Sequence, residues 1–96
     1  MNKEEILQFL RRNKNKLNKY GVRKIGLFGS YVQEYDIKGS DIDLIVKFEP
    51  GKKNFDNYMD LKFFLEESLN NKVDLVIEGS IKEELKEEIL ESAKYA

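Results

Sequence analysis

Two aspartates one residue apart, Asp41 and Asp43, stand in an apolar run, DIDLIVKF over residues 41–48, that otherwise has the composition of a strand. Side chains alternate faces along a strand. Asp41 and Asp43 therefore point the same way, about 6.5–7 Å apart at Cα, while Ile42 and Leu44 point the other way into a core. Like charges side by side on one strand face repel. This strand must turn one face to apolar packing and the other to a charged site, and a pair kept in such a place implies a cation between the carboxylates.

The surrounding pattern supplies the rest of a domain. Residues 3–19 read as a helix, with Ile6, Leu10 and Leu17 at helical spacing and Phe9 widening the stripe. Gly21 fits a left-handed residue just past its end. A first strand follows over 22–28. Ser30 is placed to cap a short helix over about 30–35, and Asp36 to Ser40 form a loop. After the strand 41–48, Pro50-Gly51 is a break. A second long helix covers 54–69, with Tyr58, Leu61, Leu65 and Leu69 along its apolar face and Phe64 beside them. Asn70-Asn71 turns the chain into a third strand, 73–77. Gly79-Ser80 leads to a last helix over about 81–93, with Leu85, Ile89 and Ala93 at i, i+4 and i+8. Helices alternate with strands, so the expected fold class is α/β or α+β, a small mixed sheet with helices packed on it. At 96 residues the chain is expected to form one domain, 1–96.

Composition narrows the chemistry. There is no cysteine and no histidine, so thiolate and imidazole ligands, cysteine nucleophiles and histidine bases are all excluded. A metal here must be held by oxygen, which suits Mg²⁺, Mn²⁺ or Ca²⁺. Seventeen basic residues against eighteen acidic ones give a net charge of −1. That balance argues against a dedicated nucleic-acid binder, though not against a nucleotide as substrate. No apolar run approaches the length of a membrane span. The first residues carry acids where a signal peptide would be basic. A cytoplasmic location is expected.

Strand 73–77 contributes a third acid, Asp74. If this strand lies beside 41–48, Asp74 can share the face of Asp41 and Asp43. Three such carboxylates make a two-metal phosphoryl-transfer site physically reasonable. The Gly29-Ser30 turn, separated from Asp41 by ten residues, suits the same chemistry. Glycine lets the backbone approach a phosphate closely, the following N–H groups attract the anion, and the Ser30 hydroxyl can add a contact. A glycine-serine turn alone is an ordinary turn, and Asp-x-Asp alone is common on solvated strands. Their coincidence with the spacing and the third acid carries the argument. The acids Glu83, Glu84, Glu87, Glu88 and Glu91 read as a solvated helix face. Phe55, Phe63 and Phe64 read as core or partner-facing packing, and Arg11-Arg12 as surface.

Gly29-Ser30, the ten-residue gap and Asp41-Ile42-Asp43-Leu44 resemble the signature of the polymerase-β-type nucleotidyltransferase superfamily. The chain as a whole is similar to its smallest members, the minimal nucleotidyltransferases or MNT proteins. The resemblance implies that Gly29 and Ser30 bind a nucleoside triphosphate, that Asp41 and Asp43 bind metal, and that Asp74 completes the metal site at the catalytic-base position near the acceptor. It implies two Mg²⁺ ions, with Mn²⁺ as a substitute, and ATP as the substrate. Gln33 departs from the pattern, since many members have an arginine three residues after the serine. Minimal members pair with HEPN-domain ribonucleases in toxin–antitoxin modules. The resemblance therefore implies an antitoxin that moves AMP onto a tyrosine of a HEPN toxin, whose surface would complete the site. The alternative is a non-catalytic module that neutralises such a partner by steric contact.

Overall fold

A computed structural model describes residues 1–33 and 39–96, with Gln33 described by its backbone alone. The end of the expected helix 30–35, the start of the loop after it and the Gln33 side chain lie outside the described residues. Among the described residues the regular elements run in the order α1 (Lys3–Arg12), α2 (Lys14–Lys19), β1 (Val22–Phe28), α3 (Ser30–Gln33), β2 (Ile42–Phe48), α4 (Phe55–Leu69), β3 (Val73–Ile77), a 3₁₀ turn (Glu78–Ser80), α5 (Glu83–Ser92) and β4 (Lys94–Tyr95). The strands form one mixed sheet in the order β3-β2-β1-β4. β1 runs antiparallel to β2 and β4, and β2 runs parallel to β3.

Local chemistry sets the element ends. Asn2 and Glu5 form a reciprocal capping box: Asn2 Oδ1 accepts the Glu5 N–H at 2.9 Å and Glu5 Oε1 accepts the Asn2 N–H at 3.1 Å. The single helix expected over 3–19 is two helices. Asn13 Nδ2 donates to the Phe9 carbonyl at 2.8 Å, and the Asn13 N–H reaches the same oxygen. A short polar side chain that competes for a helix carbonyl breaks the ladder there. Gly21 holds the predicted left-handed conformation, φ +83°. Its carbonyl accepts the Glu49 N–H at 2.8 Å, which ties the end of α2 to the end of β2. Asn54 caps α4 by accepting the Asn57 N–H, and Asn70 ends it in the left-handed region at φ +50°.

The register sorts residues onto two sheet faces. One face carries Ile25, Leu27, Ile42, Leu44, Val46, Val73 and Leu75, all buried. Ile6, Leu7, Leu10 and Leu17 from α1 and α2, and Leu61, Leu65 and Leu69 from α4, close the main core against it. The opposite face carries Phe28 and Gly26 of β1, Asp43 and Ile45 of β2, Asp74 and Val76 of β3, and Tyr95 of β4.

Strand β4 was not expected, since Lys94-Tyr95 is too short to show a period. It forms because Gly26 offers no side chain: a Cβ there would stand 2.9 Å from the Tyr95 ring. The last helix starts and ends later and earlier than the expected 81–93, and none of its residues is fully buried. Leu85, expected on a packed stripe, is 48% exposed. On the other side β3 is an edge strand, and α4 guards it. Tyr58 Oη donates to the Leu75 carbonyl at 2.6 Å, and Glu66 Oε2 accepts the Val73 N–H at 3.0 Å. Capping outward backbone groups in this way blunts an edge against pairing with other strands.

Candidate active site

The five residues singled out from the sequence meet around one carboxyl, that of Asp43. Asp43 lies second in β2 and is paired in register with Phe28 of β1 on one side and Asp74 of β3 on the other. The condition that the sequence left open, that the third strand pair beside the second, is met, with the two acids directly adjacent. Asp41 stands one residue before β2, not within it as expected, and is exposed. The Ile42 N–H donates to the Lys72 carbonyl at 2.9 Å, which fixes the start of β2 against the start of β3. Asp74 is exposed and Asp43 half-buried.

Asp43 carries the electrostatic cost of this arrangement. Its carboxyl is pushed up from 3.8 to about 6. Burial is the largest cause, followed by the charges of Asp74 and then Asp41, and by a hydrogen bond shared with the Asp74 carboxyl. The Ser30 backbone N–H works in the opposite sense by donating to Asp43. Gly29 is shaped to the same group. Its φ is +74°, and a Cβ built there would fall 3.0 Å from Asp43 Cγ and closer still to Oδ2. The absence of a side chain at Gly29 is thus a requirement of Asp43 itself, a constraint that the sequence alone did not reveal.

Among the described residues the metal-ligating groups at this face are carboxylate oxygens. Among the described residues no group of three or more acids is drawn in closely enough to grip an ion as it stands. The donor set fits a hard divalent cation all the same: a positive charge between Asp43 and its neighbours would reverse the repulsion that raises the Asp43 carboxyl. An apolar groove of about 410 Å³ lies elsewhere, between the start of α4 and β3, lined by Phe55, Tyr58, Leu75 and Ile77 among others. None of Asp41, Asp43 and Asp74 lines this groove.

Two further side chains that the sequence did not single out border the site. Tyr31, the second residue of α3, is buried, and its hydroxyl meets Asn71 Nδ2 at 3.0 Å. Both reach the carbonyl of Ser40, the residue before Asp41, at 3.4 Å. Neither shows a periodic or motif signal, because their roles depend on segments 31 to 40 residues apart coming together.

A sheet of this topology with paired acids beside a glycine-serine turn defines a nucleotidyltransferase-type core. The family described as polymerase beta, nucleotidyltransferase matches residues 4–95, and the chain belongs to it. Over 95 residues the chain is 38% identical to a protein adenylyltransferase, MntA, of Thermococcus cleftensis, covering 96% of this chain and 93% of that protein. It superposes on a solved structure described as a minimal nucleotidyltransferase with a TM-score of 0.82, at 29% identity, covering 98% of this chain and 95% of the other. A chain from the complex of a tri-AMPylated HEPN toxin with an MNT antitoxin of Shewanella oneidensis matches with a TM-score of 0.58 and 26% identity, covering 88% of this chain and 69% of that one. The fold class expected from the sequence and the resemblance to minimal nucleotidyltransferases are both borne out. Among the described residues no helix is long and apolar enough to cross a membrane.

Proposed function

We propose that this protein transfers AMP from ATP to a tyrosine hydroxyl of a HEPN-type partner, as the antitoxin of a toxin–antitoxin pair. The observation that carries this reading is the in-register pairing of Asp43 with Asp74, with Gly29 and Ser30 closed against the same carboxyl. The adenylyltransferase name of the Thermococcus cleftensis relative and the AMPylated toxin of the Shewanella oneidensis complex support the choice of AMP and of a HEPN partner.

In this reaction the acceptor oxygen attacks the α-phosphorus of ATP. The bond from that phosphorus to the bridging oxygen breaks, and pyrophosphate leaves. Asp41, Asp43 and Asp74 would hold Mg²⁺ or Mn²⁺, and such ions when bound neutralise triphosphate charge and ease ionisation of the attacking hydroxyl. The protein's own residues position and exchange protons. Gly29 would let a phosphate approach the backbone and the Ser30 hydroxyl would donate to it, while the Ser30 N–H is held by Asp43. Asp74, exposed at the sheet edge, would take the proton of an incoming phenol. Catalysis of this type is chiefly positioning and charge neutralisation.

The test is co-expression with the candidate HEPN partner, followed by intact-mass measurement of that partner. Wild type is expected to add one or more AMP units, and the double variant Asp41→Asn/Asp43→Asn none. A partner that stays unmodified with wild type, yet is neutralised equally by the double variant, would establish the steric mode of action instead.

A further inference from the structure

We infer that Tyr31 and Asn71 are positioning residues for the carboxylate site, acting through the Ser40 carbonyl on the placement of Asp41. The inference rests on the proposed metal-dependent AMP transfer and extends it to residues outside the family signature described above.

The geometry is a closed triangle. Asn71 Nδ2 has two hydrogens: one meets Tyr31 Oη at 3.0 Å and the other the Ser40 oxygen at 3.4 Å. Tyr31 Oη, having accepted from Asn71, donates its own hydrogen to the same Ser40 oxygen at 3.4 Å. Each of these donors has an acceptor within the triangle, and the Ser40 carbonyl has a lone pair for each of the two it receives. The three corners belong to the three segments that deliver the site. Tyr31 follows Ser30 directly and its ring is 4% exposed, anchored in the core. Ser40 precedes Asp41. Asn71 sits in the turn that leads into β3 and Asp74, and its own N–H is held by the Glu66 carbonyl.

This lacing has a specific consequence. Ile42 is already pinned by its backbone to Lys72. Fixing the Ser40 carbonyl as well fixes the peptide on both sides of Asp41, the one site acid that lies outside a strand. Asp41 is exposed and its charge opposes that of Asp43, so repulsion would swing it outward if its backbone were free. The triangle opposes that movement without touching the carboxylate. Groups that orient metal ligands from behind typically change metal affinity by about 10–100-fold when lost.

The experiment uses the whole protein with Mn²⁺ or Mg²⁺ alone as probe. Metal uptake is read by calorimetry and by the metal-dependent rise in Tm, beside AMP transfer at saturating and limiting metal. Tyr31→Phe keeps the ring and removes only the hydroxyl. Asn71→Ala removes both donors. In each, the half-saturating metal concentration is expected to rise about tenfold, and the double variant to be little worse than either single one, because the two side chains act through one contact. Should Asn71→Ala fail to fold, Tyr31→Phe carries the test. A purely structural role would lower the metal-free Tm and leave half-saturation where it is in wild type, and that result overturns the inference while leaving the proposed function intact. A wild type that takes up no divalent ion and transfers no AMP overturns the proposed function, and the inference with it.

Discussion

Asp43 is where the chemistry of this protein concentrates, and its titration is measurable. The folded protein holds the carboxyl near 6 and the unfolded chain holds it near 3.8, so the folded state binds the extra proton between those values. The stability this group contributes is full below its unfolded value and is lost as pH rises through about 6. In chelator, the Tm of wild type is expected to fall relative to that of Asp43→Asn as pH rises from about 4 to 7. The variant should be at least as stable as wild type at neutral pH, and thermal melts across that range check both points. A variant that unfolds at neutral pH would mean that the acid is structural. Gly29 gives a second residue-scale prediction. Gly29→Ala forces a side chain into the left-handed region and against the Asp43 carboxyl. The expected cost is about 1–3 kcal/mol for the backbone, with AMP transfer falling further than stability does. Urea unfolding and transfer assays on the same preparation separate the two effects.

At the scale of elements, the sheet is protected at one edge and completed at the other. Tyr58 and Glu66 of α4 occupy outward backbone groups of β3, and β4 covers part of β1. Tyr58→Phe removes the hydroxyl that reaches Leu75 and nothing else. A loss of about 0.5–1.5 kcal/mol is expected by chemical denaturation, with AMP transfer retained, since Leu75 lies on the face away from Asp43. A transfer rate that collapses with this variant would mean that the groove beside α4 takes part in the reaction. The contrast between α4 and α5 is informative here. α4 buries Leu61, Leu65 and Leu69 in the main core, whereas α5 buries no residue fully. Packing, not helical pattern, decides how firmly each is held.

For the whole molecule, the near-balance of charge conceals a local excess. Net charge is −1, yet Asp43 and Asp74 lie side by side on one sheet face with Asp41 just before β2, and a divalent ion that binds only the folded state must stabilise it by mass action. Saturating Mg²⁺ or Mn²⁺ at about a hundred times its dissociation constant should add about 2.7 kcal/mol to wild type, and markedly less to Asp43→Asn. Equal stabilisation of both would place the ion away from Asp43. Differential scanning calorimetry with and without metal decides between these outcomes.

The fold class and the facing of Asp43 away from the core were legible in the sequence for a physical reason: both are written in short-range periodicity. Alternation along DIDLIVKF places Asp43 opposite the core, and the spacing of Leu61, Leu65 and Leu69 defines a helix face whatever lies across from it. The turn at Gly29-Ser30 is likewise local. What the tertiary structure alone decided is everything that depends on pairing between distant segments. Only the parallel register of β2 and β3 sets Asp74 beside Asp43. The approach of that carboxyl, together with a left-handed backbone, explains why position 29 must be glycine. The break at Asn13 depends on a side-chain bond that competes with a helix favoured by every neighbour. Strand β4 exists because Gly26 leaves room for Tyr95, and Tyr31 and Asn71 meet at Ser40 only once the sheet has assembled. Periodicity tells each segment which side to bury, and contact between segments determines which residues then face one another.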